Sequence, residues 1–354
     1  MPSSFLSFHH SLLLDHHYIT MAPPVLKYFR SHLFERLPSS NKSFAGLTIV
    51  ITGANSGLGL EAARQFVQQD AAKVILAVRD HAKGEAAKTS IIESTKKPKD
   101  IVEVWALDLC SSASIESFSS RIHRDLDRLD VVVANAGVLT HKFELVEGCE
   151  KTLTVNVINT FLMALLVLPK LRETATRLNR ETVLTFTGSL VHWLARFSQR
   201  EDHDGSGGIL AALSNEKTAD MGHRYVLSKL LMLLAYRELA KAVSRSTKPG
   251  EIVVSMANPG SVRTALDREN HGPRSWVWTG FVNIVGRSAE EGSRVLLHAA
   301  EGGRETHGQY LDDCKIGRFS DFVESPAGLV AQEQVWSELV ALLEQKHPSI
   351  MQNV

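Results

Sequence analysis

Val-Ile-Thr-Gly-Ala-Asn-Ser-Gly-Leu-Gly, residues 50–59, is the stretch that decides the fold of this 354-residue chain. The apolar run Leu47–Thr52 ends there in glycines, and a helical pattern follows from Glu61. This order predicts a strand, a turn and a helix N-terminus. Glycines let backbone N–H groups approach a ligand, and a helix N-terminus favours negative charge. The stretch therefore predicts a corner for a dinucleotide pyrophosphate, with an ordinary glycine-rich turn as the alternative.

Composition narrows the class of protein. Lys plus Arg and Asp plus Glu number 39 each, and this balance argues against a nucleic-acid partner. Cys110, Cys149 and Cys314 are far apart in sequence, which predicts free thiols in a reducing compartment such as the cytoplasm. Neither the cysteines nor the histidines have the spacing of a metal site, so we expect no metal.

Residues 1–45 are predicted to form an N-terminal extension, partly disordered or a short amphipathic helix. Phe5–Leu14 is apolar, but it is interrupted by two histidines and lacks a preceding basic segment, so it is a poor signal peptide. No uninterrupted apolar run reaches the roughly 18 residues of a transmembrane helix. The helical pattern after Pro23 and Pro24 could pack on the domain or contact a membrane surface, and Met21 could be the true start.

From Gly46 onward, apolar runs alternate with helical patterns, which predicts an α/β fold. We expect a Rossmann-type, doubly wound parallel sheet of about seven strands, with helices on both faces. The predicted strands are Leu47–Thr52, Val74–Val78, Val102–Leu107, Leu129–Ala134, Thr182–Thr187, Ile252–Ala257 and the edge strand Gly308–Leu311. The predicted helices include Ala82–Ser94, Lys151–Leu171 (ended in part by Pro169), Gly222–Val243, Ala289–Ala300 and Pro326–Glu344. The main domain should span residues 46–320, with a C-terminal helical extension over residues 321–354.

Two insertions break this alternation, at residues 196–221 and 265–286. Both follow strand ends, and ligands bind at the carboxyl edge of an open parallel sheet, so both are candidates for a substrate wall and lid. The second insertion carries Trp276, Trp278 and Phe281, which could equally form a satellite core or an oligomer contact.

Tyr225 and Lys229 are four residues apart, which places them one turn apart on the same face of a helix. A neighbouring ammonium favours a phenolate, so we expect Lys229 to lower the pKa of Tyr225 from its usual value near ~10. Tyr225 could then transfer a proton at neutral pH. Ser189 follows the fifth strand, where its hydroxyl could polarise a carbonyl together with Tyr225.

Asn135-Ala136-Gly137 after the fourth strand and Asn156 on the following helix complete a pattern. In this order, the motifs resemble the short-chain dehydrogenase/reductase family, in particular its branch of retinol-dehydrogenase-like enzymes and carbonyl reductases. The resemblance covers about Gly46–Leu311, and the glycine spacing fits this family better than the standard dinucleotide fingerprint. The chain departs from the pattern at Ala134, where a second asparagine is common, and in its long loop between Ser189 and Tyr225.

The resemblance implies a catalytic tetrad of Asn156, Ser189, Tyr225 and Lys229. In such a tetrad Tyr225 is the general acid-base, and Lys229 binds the nicotinamide ribose and lowers the pKa of the tyrosine. Ser189 orients the substrate, and Asn156 holds a proton-relay water.

The resemblance also implies a set of cofactor contacts. Pro259, Gly260 and Thr264 resemble the turn that contacts the nicotinamide carboxamide, Asp108 resembles an adenine contact, and Asn135 would steady the sheet. The expected cofactor-binding residues are Gly53, Asn55, Ser56, Gly57, Leu58, Gly59, Arg79, Asp108, Leu109, Asn135, Ala136, Gly137, Tyr225, Lys229, Pro259, Gly260, Val262 and Thr264.

The residue at the end of the second strand indicates the form of the cofactor, since that position meets the adenosine ribose. Here it is Arg79, and a guanidinium suits a 2′-phosphate, whereas an acidic residue would repel it. Strand alternation should turn Asp80 away when Arg79 faces the ligand. We therefore expect NADP(H) rather than NAD(H).

The expected function is that of a cytoplasmic NADPH-dependent carbonyl reductase, or the reverse alcohol dehydrogenase. Its substrate is expected to be a fairly large hydrophobic carbonyl compound or alcohol: a retinoid, steroid, lipid or polyketide-like molecule. Tailoring of a secondary metabolite also fits the resemblance. The alternatives are a catalytically silent cofactor-binding sensor or scaffold and a membrane-surface dehydrogenase. The long helices suggest a homodimer, unless the C-terminal extension blocks it and leaves a monomer.

Overall fold

A computed structural model describes residues 30–32, 34–40, 42–197, 207–263 and 285–354. It contains two units, Met1–Arg36 and Leu37–Val354. In the first unit, the described helical residues are 30–32 and 34. Residues 23–29 of the predicted N-terminal helix, Thr264 and all but the last two residues of the second predicted insertion lie outside the described residues.

The second unit carries an eight-stranded sheet and a small ribbon. The strands are β1 (Thr48–Thr52), β2 (Lys73–Val78), β3 (Val102–Ala106), β4 (Val131–Ala134), β5 (Leu145–Val146), β6 (Cys149–Glu150), β7 (Thr182–Thr187), β8 (Ile252–Asn258), β9 (Tyr310–Asp312) and β10 (Lys315–Ile316). The order in the sheet is β10-β9-β8-β7-β4-β1-β2-β3, while β5 and β6 form the separate ribbon. Every pairing in the large sheet is parallel except that of β10 with β9. The predicted doubly wound α/β fold is confirmed.

The sheet has one strand more than the seven expected, because the chain reverses after β9. Asp313 and Cys314 have φ angles of 52° and 58°, the left-handed conformation that both central residues of a tight hairpin turn adopt. An Asp-Cys pair lacks the glycine that normally signals such a turn, so β10 was not predicted. Residues 308–311 were predicted as an edge strand, but β9 lies inside the sheet and β10 forms the edge.

Nine α-helical segments whose full ranges are described surround the sheet. They are α1 (Gly57–Gln68), α2 (His81–Thr95), α3 (Ser112–Asp125), α4 (Lys151–Leu178), α5 (Ile209–Leu213), α6 (Arg224–Arg245), α7 (Ala289–Glu301), α8 (Asp321–Glu324) and α9 (Pro326–Lys346). Pro169 was expected to help end the fourth of these, but it lies inside α4, which continues to Leu178. Buried contacts on this long apolar helix override the local effect of a proline.

The two faces of the sheet build two cores. All five residues of β1 are buried, which is typical of a parallel strand covered on both sides. Ile49 and Ile51 pack with residues of α1, α2 and α7, whereas Val50 packs with residues of α3, α4 and α6. The helices on both faces hold the carboxyl ends of the strands in fixed positions, and those ends carry the candidate site.

The C-terminal extension packs against α6 and α4. Ser325 caps α9 by accepting a hydrogen bond from Gly328 N at 3.0 Å, and Pro326 occupies the first turn, where a missing N–H costs nothing. Trp336 meets Phe161 of α4 edge to face, with 6.3 Å between ring centroids. Of the described helices, α4 alone is long and apolar enough to cross a membrane, but 94% of its apolar window is buried, as in a core helix.

The described end of the first insertion, residues 207–221, packs against the C-terminal extension. Glu338 of α9 accepts hydrogen bonds from Ile209 N at 2.9 Å and Leu210 N at 3.0 Å, which satisfies the free N–H groups at the start of α5. A side chain at Gly208 would meet this carboxylate at 2.8 Å. The insertion and the extension were predicted as separate features, and Glu338 joins them.

Candidate active site

Four turns lie side by side at the carboxyl edge of the sheet. The neighbouring parallel strands are in register, with Ile51 opposite Val133 and Thr187 opposite Ala257. The turns after β1, β4, β7 and β8 are therefore adjacent. They contain the predicted residues Gly53, Asn135, Ser189 and Pro259.

The glycine corner, residues 53–59, is closely packed against the turn after β4. A Cβ on Gly59 would lie 2.7 Å from both Gly53 O and Asn135 Nδ2, distances that real Cβ atoms essentially never show. Gly53 has a φ of 68°, and a Cβ there would lie 2.9 Å from Ala136 Cα. Only glycine fits at these two positions. The helix α1 that begins at Gly57 has no acidic residue in its first turn, so its N-terminus suits a phosphate.

Asn135 and Ala136 are fixed to β1 by three hydrogen bonds. Asn135 N and Ala136 N donate to Thr52 Oγ1 at 3.0 and 2.9 Å, and Asn135 Nδ2 donates to Thr52 O at 2.9 Å. Of the other predicted residues in these two turns, Asn55, Ser56, Leu58 and Gly137 are partly exposed. The expected role of Asn135 in steadying the sheet agrees with these bonds.

Helix α6 carries Tyr225 and Lys229 at its start. The Lys229 Nζ lies 5.8 Å from the centroid of the Tyr225 ring and donates a hydrogen bond to Thr187 O at 2.9 Å. Ser228 Oγ donates to Tyr225 O at 2.8 Å. Lys229 is buried, and the Tyr225 residue as a whole is partly exposed.

The expected lowering of the Tyr225 pKa is wrong for this arrangement. Burial raises the pKa of Tyr225 above its usual value and lowers the pKa of Lys229 to about 8. Both shifts have the same cause, since removal from water disfavours the charged form of either group. Helical spacing alone placed the two residues together, but it could not show that burial is the cause that shifts both pKa values.

Asn156 lies in a π-helical segment of α4, Thr154–Ile158, which the sequence did not predict. Its side chain is fully buried and makes three hydrogen bonds. Oδ1 accepts from Val138 N at 2.8 Å, while Nδ2 donates to Val138 O and Ser228 Oγ, each at 3.0 Å. Such single-turn π segments occur often at functional sites. Asn156 thereby connects α4 with the start of α6.

Ser189 begins a 3₁₀ turn, Leu190–Leu194, directly after β7. Its Oγ accepts a hydrogen bond from Val191 N at 3.3 Å, and the side chain is partly exposed. The buried His192 lies 2.8 Å from Ser189 O through Nδ1. Burial lowers the pKa of His192 to about 4, so the neutral ring donates its Nδ1 proton to that carbonyl.

Arg79 and Asp80 have different environments after β2. Asp80 caps α2, because its Oδ1 accepts from Lys83 N at 3.1 Å and its Oδ2 lies 3.2 Å from Lys83 Nζ. These hydrogen bonds from the Lys83 backbone and side chain lower the pKa of Asp80. Arg79 is exposed and forms no ion pair with any described residue. The capping geometry agrees with the prediction that Asp80 turns away.

The predicted adenine contacts follow β3. Asp108 Oδ1 accepts a hydrogen bond from Cys110 N at 2.9 Å, and Asp108 N donates to Ser114 Oγ at 3.0 Å. The Leu109 side chain is buried in the core, while its carbonyl accepts from Asn159 Nδ2 at 2.9 Å. Asp108 is thus partly exposed at this edge, in a turn that is fixed by hydrogen bonds. The Leu109 side chain is buried, so Leu109 would contact a cofactor through its backbone.

The turn after β8 is packed against the glycine corner through Gly292 of α7. A Cβ on Gly292 would lie 2.5 Å from Val262 Cγ2 and 3.1 Å from Leu58 Cδ2. Pro259 is buried and Gly260 partly exposed. The predicted residues Leu58 and Val262 therefore lie close together, and Gly292 is a residue of this region that the sequence did not reveal.

The comparisons with known proteins agree with this geometry. A family model described as short chain dehydrogenase matches residues 47–178. A short chain dehydrogenase/reductase of Cryptosporiopsis sp. is 39% identical over 325 residues, which cover 91% of this chain and 98% of that relative. A short chain dehydrogenase of Emericella nidulans is 43% identical over 299 residues, which cover 83% of this chain and 93% of that relative.

This chain belongs to the short-chain dehydrogenase/reductase family. It is therefore an oxidoreductase of a family that acts on CH–OH groups. Solved structures share the fold. A 3-ketoacyl-(acyl-carrier-protein) reductase from Brucella melitensis complexed with NADH has a TM-score of 0.53 at 21% identity, and the match covers 76% of this chain and 97% of that one. A short-chain type dehydrogenase/reductase from Mycobacterium marinum has the same TM-score at 17% identity, covering 78% of this chain and 91% of that one.

A buried ion pair lies beside the predicted tetrad of this short-chain dehydrogenase/reductase. Arg224, which precedes Tyr225, is 2% exposed, and its Nε lies 3.5 Å from Oε2 of the fully buried Glu150. Glu150 also caps α4 by accepting from Thr152 N at 2.8 Å and Leu153 N at 3.2 Å. The pair therefore links the starts of α4 and α6. Sequence reasoning missed it because the two residues are 74 positions apart.

Proposed function

We propose that this oxidoreductase transfers hydride between NADP(H) and a carbonyl or alcohol carbon, with Tyr225 as the proton donor or acceptor. The observation that carries the proposal is the connected group at the start of α6. Asn156 Nδ2 donates to Ser228 Oγ, Ser228 Oγ donates to Tyr225 O, and Lys229 lies one turn further. These bonds fix the backbone at Tyr225, and a phenol that starts from this helix end at the carboxyl edge is suited to proton transfer.

In the reducing direction, the cofactor, held at the glycine corner, would supply a hydride for the carbonyl carbon. The Tyr225 phenol donates its proton to the carbonyl oxygen, so the C=O π bond becomes a C–H and an O–H bond. Ser189 Oγ orients that oxygen by a hydrogen bond. Because burial raises the pKa of Tyr225, the phenol keeps its proton at neutral pH until the substrate oxygen accepts it. Asn156 and Lys229 hold the helix start and the neighbouring strand end in position.

The glycine corner fits a dinucleotide. Gly53 and Gly59 leave no side chain between the backbone and a pyrophosphate, and the N-terminus of α1 supplies N–H groups. The exposed Arg79 guanidinium suits a 2′-phosphate, and Asp80 is engaged by Lys83. These features support NADP(H) as the cofactor.

Titration with NADPH and NADH tests the choice of cofactor. We expect tighter binding of NADPH and an Arg79→Ala variant that loses most of the preference, about tenfold. Lys88→Ala is the matched control, because it removes a positive charge from the neighbouring helix α2 and should leave the preference unchanged. A wild-type preference for NADH would contradict the proposed cofactor.

The proposed substrate is a fairly large hydrophobic ketone, aldehyde or alcohol, such as a retinoid, steroid, lipid or polyketide-like secondary metabolite. Apolar side chains follow Ser189 directly: Leu190, Val191, Trp193 and Leu194. Leu194 is 53% exposed, and Leu190, Val191 and Trp193 are partly exposed, so these apolar side chains contribute to the described surface after Ser189. Such a surface favours a substrate with little charge.

We also infer that the protein acts in the cytoplasm as a monomer. The three cysteines are free thiols, as expected in a reducing compartment. Helix α9 and residues 350–353 cover parts of α6 and α4, which leaves less of these helices for a second copy. Light scattering should give a mass near 39.0 kDa, whereas twice that mass would indicate a dimer.

Turnover of NADPH with a panel of hydrophobic carbonyl compounds tests the proposed reaction. We expect oxidation with some of them and a loss of about a thousandfold in kcat for Tyr225→Phe, with NADPH binding retained. Tyr236→Phe is the matched control. It removes another phenol from α6, whose hydroxyl donates to Gln309 O at 2.7 Å, and should lose about 1 kcal/mol of stability but no activity.

Two outcomes would overturn the proposal. Equal turnover by wild type and Tyr225→Phe would exclude Tyr225 as the proton donor. NADPH binding without turnover of any compound would favour a catalytically silent sensor.

A further inference from the structure

Asn258 ends β8 and precedes the Pro259-Gly260 turn. It is 1% exposed, and its side chain lies between the turn after β7 and the turn that follows it in sequence. The sequence did not predict a role for Asn258. A buried carboxamide costs free energy unless its hydrogen bonds are made.

One oxygen of Asn258 holds two turns. Oδ1 accepts from Leu190 N at 3.0 Å and from Gly260 N at 3.1 Å. Nδ2 donates to Asp312 Oδ1 on β9 at 2.9 Å. The orientation of the amide is determined by its partners, because two backbone N–H groups can only donate and a carboxylate accepts.

The two turns belong to different parts of the proposed reaction. Leu190 directly follows Ser189, which orients the substrate, and Gly260 lies in the turn expected to meet the nicotinamide end of the cofactor. Hydride transfer requires the donor and acceptor carbons to be placed to within a fraction of an ångström, and a misplacement of about 1 Å costs about a hundredfold in rate. A single atom bonded to both turns fixes their separation.

We infer that Asn258 is a positioning residue that couples the Ser189 turn to the Gly260 turn. The inference rests on the proposed function. Asn258 is buried and acts through the backbone N–H groups of Leu190 and Gly260. Its bond to Asp312 anchors the carboxamide to β9, so the two turns take their position from the sheet.

A double-mutant cycle with Ser189 tests the coupling. We expect Asn258→Ala to lower the single-turnover rate of carbonyl reduction by about thirtyfold to a hundredfold in the wild-type background. In a Ser189→Ala background the same change should cost about threefold or less, because the hydroxyl that Asn258 positions is already absent. Equal losses in both backgrounds would overturn the inference, since a general loss of structure acts regardless of Ser189.

Ser255→Ala is the matched control. Ser255 is fully buried on the same strand, and its Oγ donates to Thr185 Oγ1 of β7 at 3.1 Å. This variant also removes a buried hydrogen bond between β7 and β8, but it touches neither turn. It should keep the wild-type rate, and a rate loss as large as that of Asn258→Ala would assign the effect to general weakening of the strand pair.

A double variant that exchanges the amide of Asn258 and the carboxylate of Asp312 separates the acceptor role from misfolding. Asn258→Asp combined with Asp312→Asn keeps an acceptor for Leu190 N and Gly260 N and reverses the donor and acceptor between β8 and β9. This double variant should recover most of the rate that Asn258→Ala loses. Failure of the swap to exceed Asn258→Ala in a folded protein would contradict the acceptor role.

Hydrogen exchange of the cofactor-free protein gives a readout independent of activity. Asn258→Ala should accelerate exchange at Leu190 and Gly260 together, by about tenfold or more, while Ser255→Ala leaves both amides protected. Unchanged exchange at both amides would overturn the inference even in an inactive protein. If the wild type reduces no carbonyl compound, the proposed function fails, and the exchange result still decides whether Asn258 holds the two turns.

Discussion

The glycine corner and the catalytic corner lie at one edge of the same sheet but are built in opposite ways. At the glycine corner, function depends on missing side chains: Gly53 and Gly59 let β1, α1 and the turn after β4 approach. At the catalytic corner it depends on buried side chains, because Asn156, Ser228 and Lys229 are held by hydrogen bonds to distant residues. The first corner should therefore fail when atoms are added, and the second when they are removed.

The largest effect is expected from removing atoms at the catalytic corner. Asn156→Ala leaves the N–H and C=O of Val138 and the Ser228 hydroxyl without this partner, and we expect kcat to fall by about a hundredfold. Affinity for NADPH, measured by fluorescence titration, should change by less than about threefold. Thr174→Val, which removes the acceptor of Leu129 N elsewhere on α4, should keep its kcat. A parallel loss of cofactor affinity in Asn156→Ala would show that the two corners are not separable.

Adding one methyl group to the glycine corner should weaken NADPH binding, in contrast to the fall in kcat expected for Asn156→Ala. Gly59→Ala brings a Cβ to within 2.7 Å of Gly53 O and Asn135 Nδ2, so the pyrophosphate corner must open. We expect NADPH affinity to fall by about tenfold to a hundredfold, which corresponds to the usual cost of overpacking. Gly222→Ala, whose Cβ would meet only Asp220 Oδ1 at an ordinary 3.4 Å, is the control. Retained affinity in Gly59→Ala would mean that the corner is not the phosphate site.

A smaller effect is expected at Glu147, whose carboxylate contacts Ser112, Asn159 and Lys346. Burial raises the pKa of Glu147, but hydrogen bonds from Lys346, Ser112 and Asn159 outweigh it and lower this pKa from 4.5 to about 2. An acidic group whose pKa is lowered by folding stabilises the folded protein at pH values above the pKa of the unfolded state. That stabilisation is lost as pH falls from 4.5 towards 2. Glu147→Gln should therefore lower the free energy of unfolding at pH 7 by about 2 kcal/mol.

Urea unfolding at several pH values measures this contribution. The difference between wild type and Glu147→Gln should shrink as pH falls below 4.5. Glu144→Gln, which removes an exposed partner of Lys151, should cost about 0–1 kcal/mol. A difference for Glu147→Gln that does not depend on pH would show that packing, not charge, is lost.

The smallest effect is a change in pH dependence at the catalytic corner. Burial lowers the pKa of Lys229 to about 8, so its ammonium is present below pH 8 and lost above it. The value of kcat/KM for carbonyl reduction, which reports groups of the free enzyme, should fall as pH rises through about 8. A profile that stays flat to pH 9.5, about 1.5 units higher, would show that the ammonium is not required.

Much of the fold could be predicted because its signals are local. The run 47–52 with its glycines, the alternation of apolar runs and helical patterns, and the four-residue spacing of Tyr225 and Lys229 each lie within one or two elements. Two features differed from the prediction: Pro169 did not end α4, and the turn at Asp313 and Cys314 led to an additional strand. Buried contacts with distant elements determined both features, and such contacts cannot be read from a local sequence pattern.

The sequence alone determined the parallel sheet, and its motifs predicted the glycine corner and, through the family resemblance, a tetrad of Asn156, Ser189, Tyr225 and Lys229. Only the tertiary structure decided how these residues are held. The Asn258 bonds join residues 190, 258, 260 and 312, the Arg224–Glu150 pair spans two helices, and Glu338 joins the first insertion to the C-terminal extension. It also decided the direction of the Tyr225 pKa shift. Spacing along one helix fixes which side chains are neighbours, whereas burial and hydrogen bonding depend on every element packed around them.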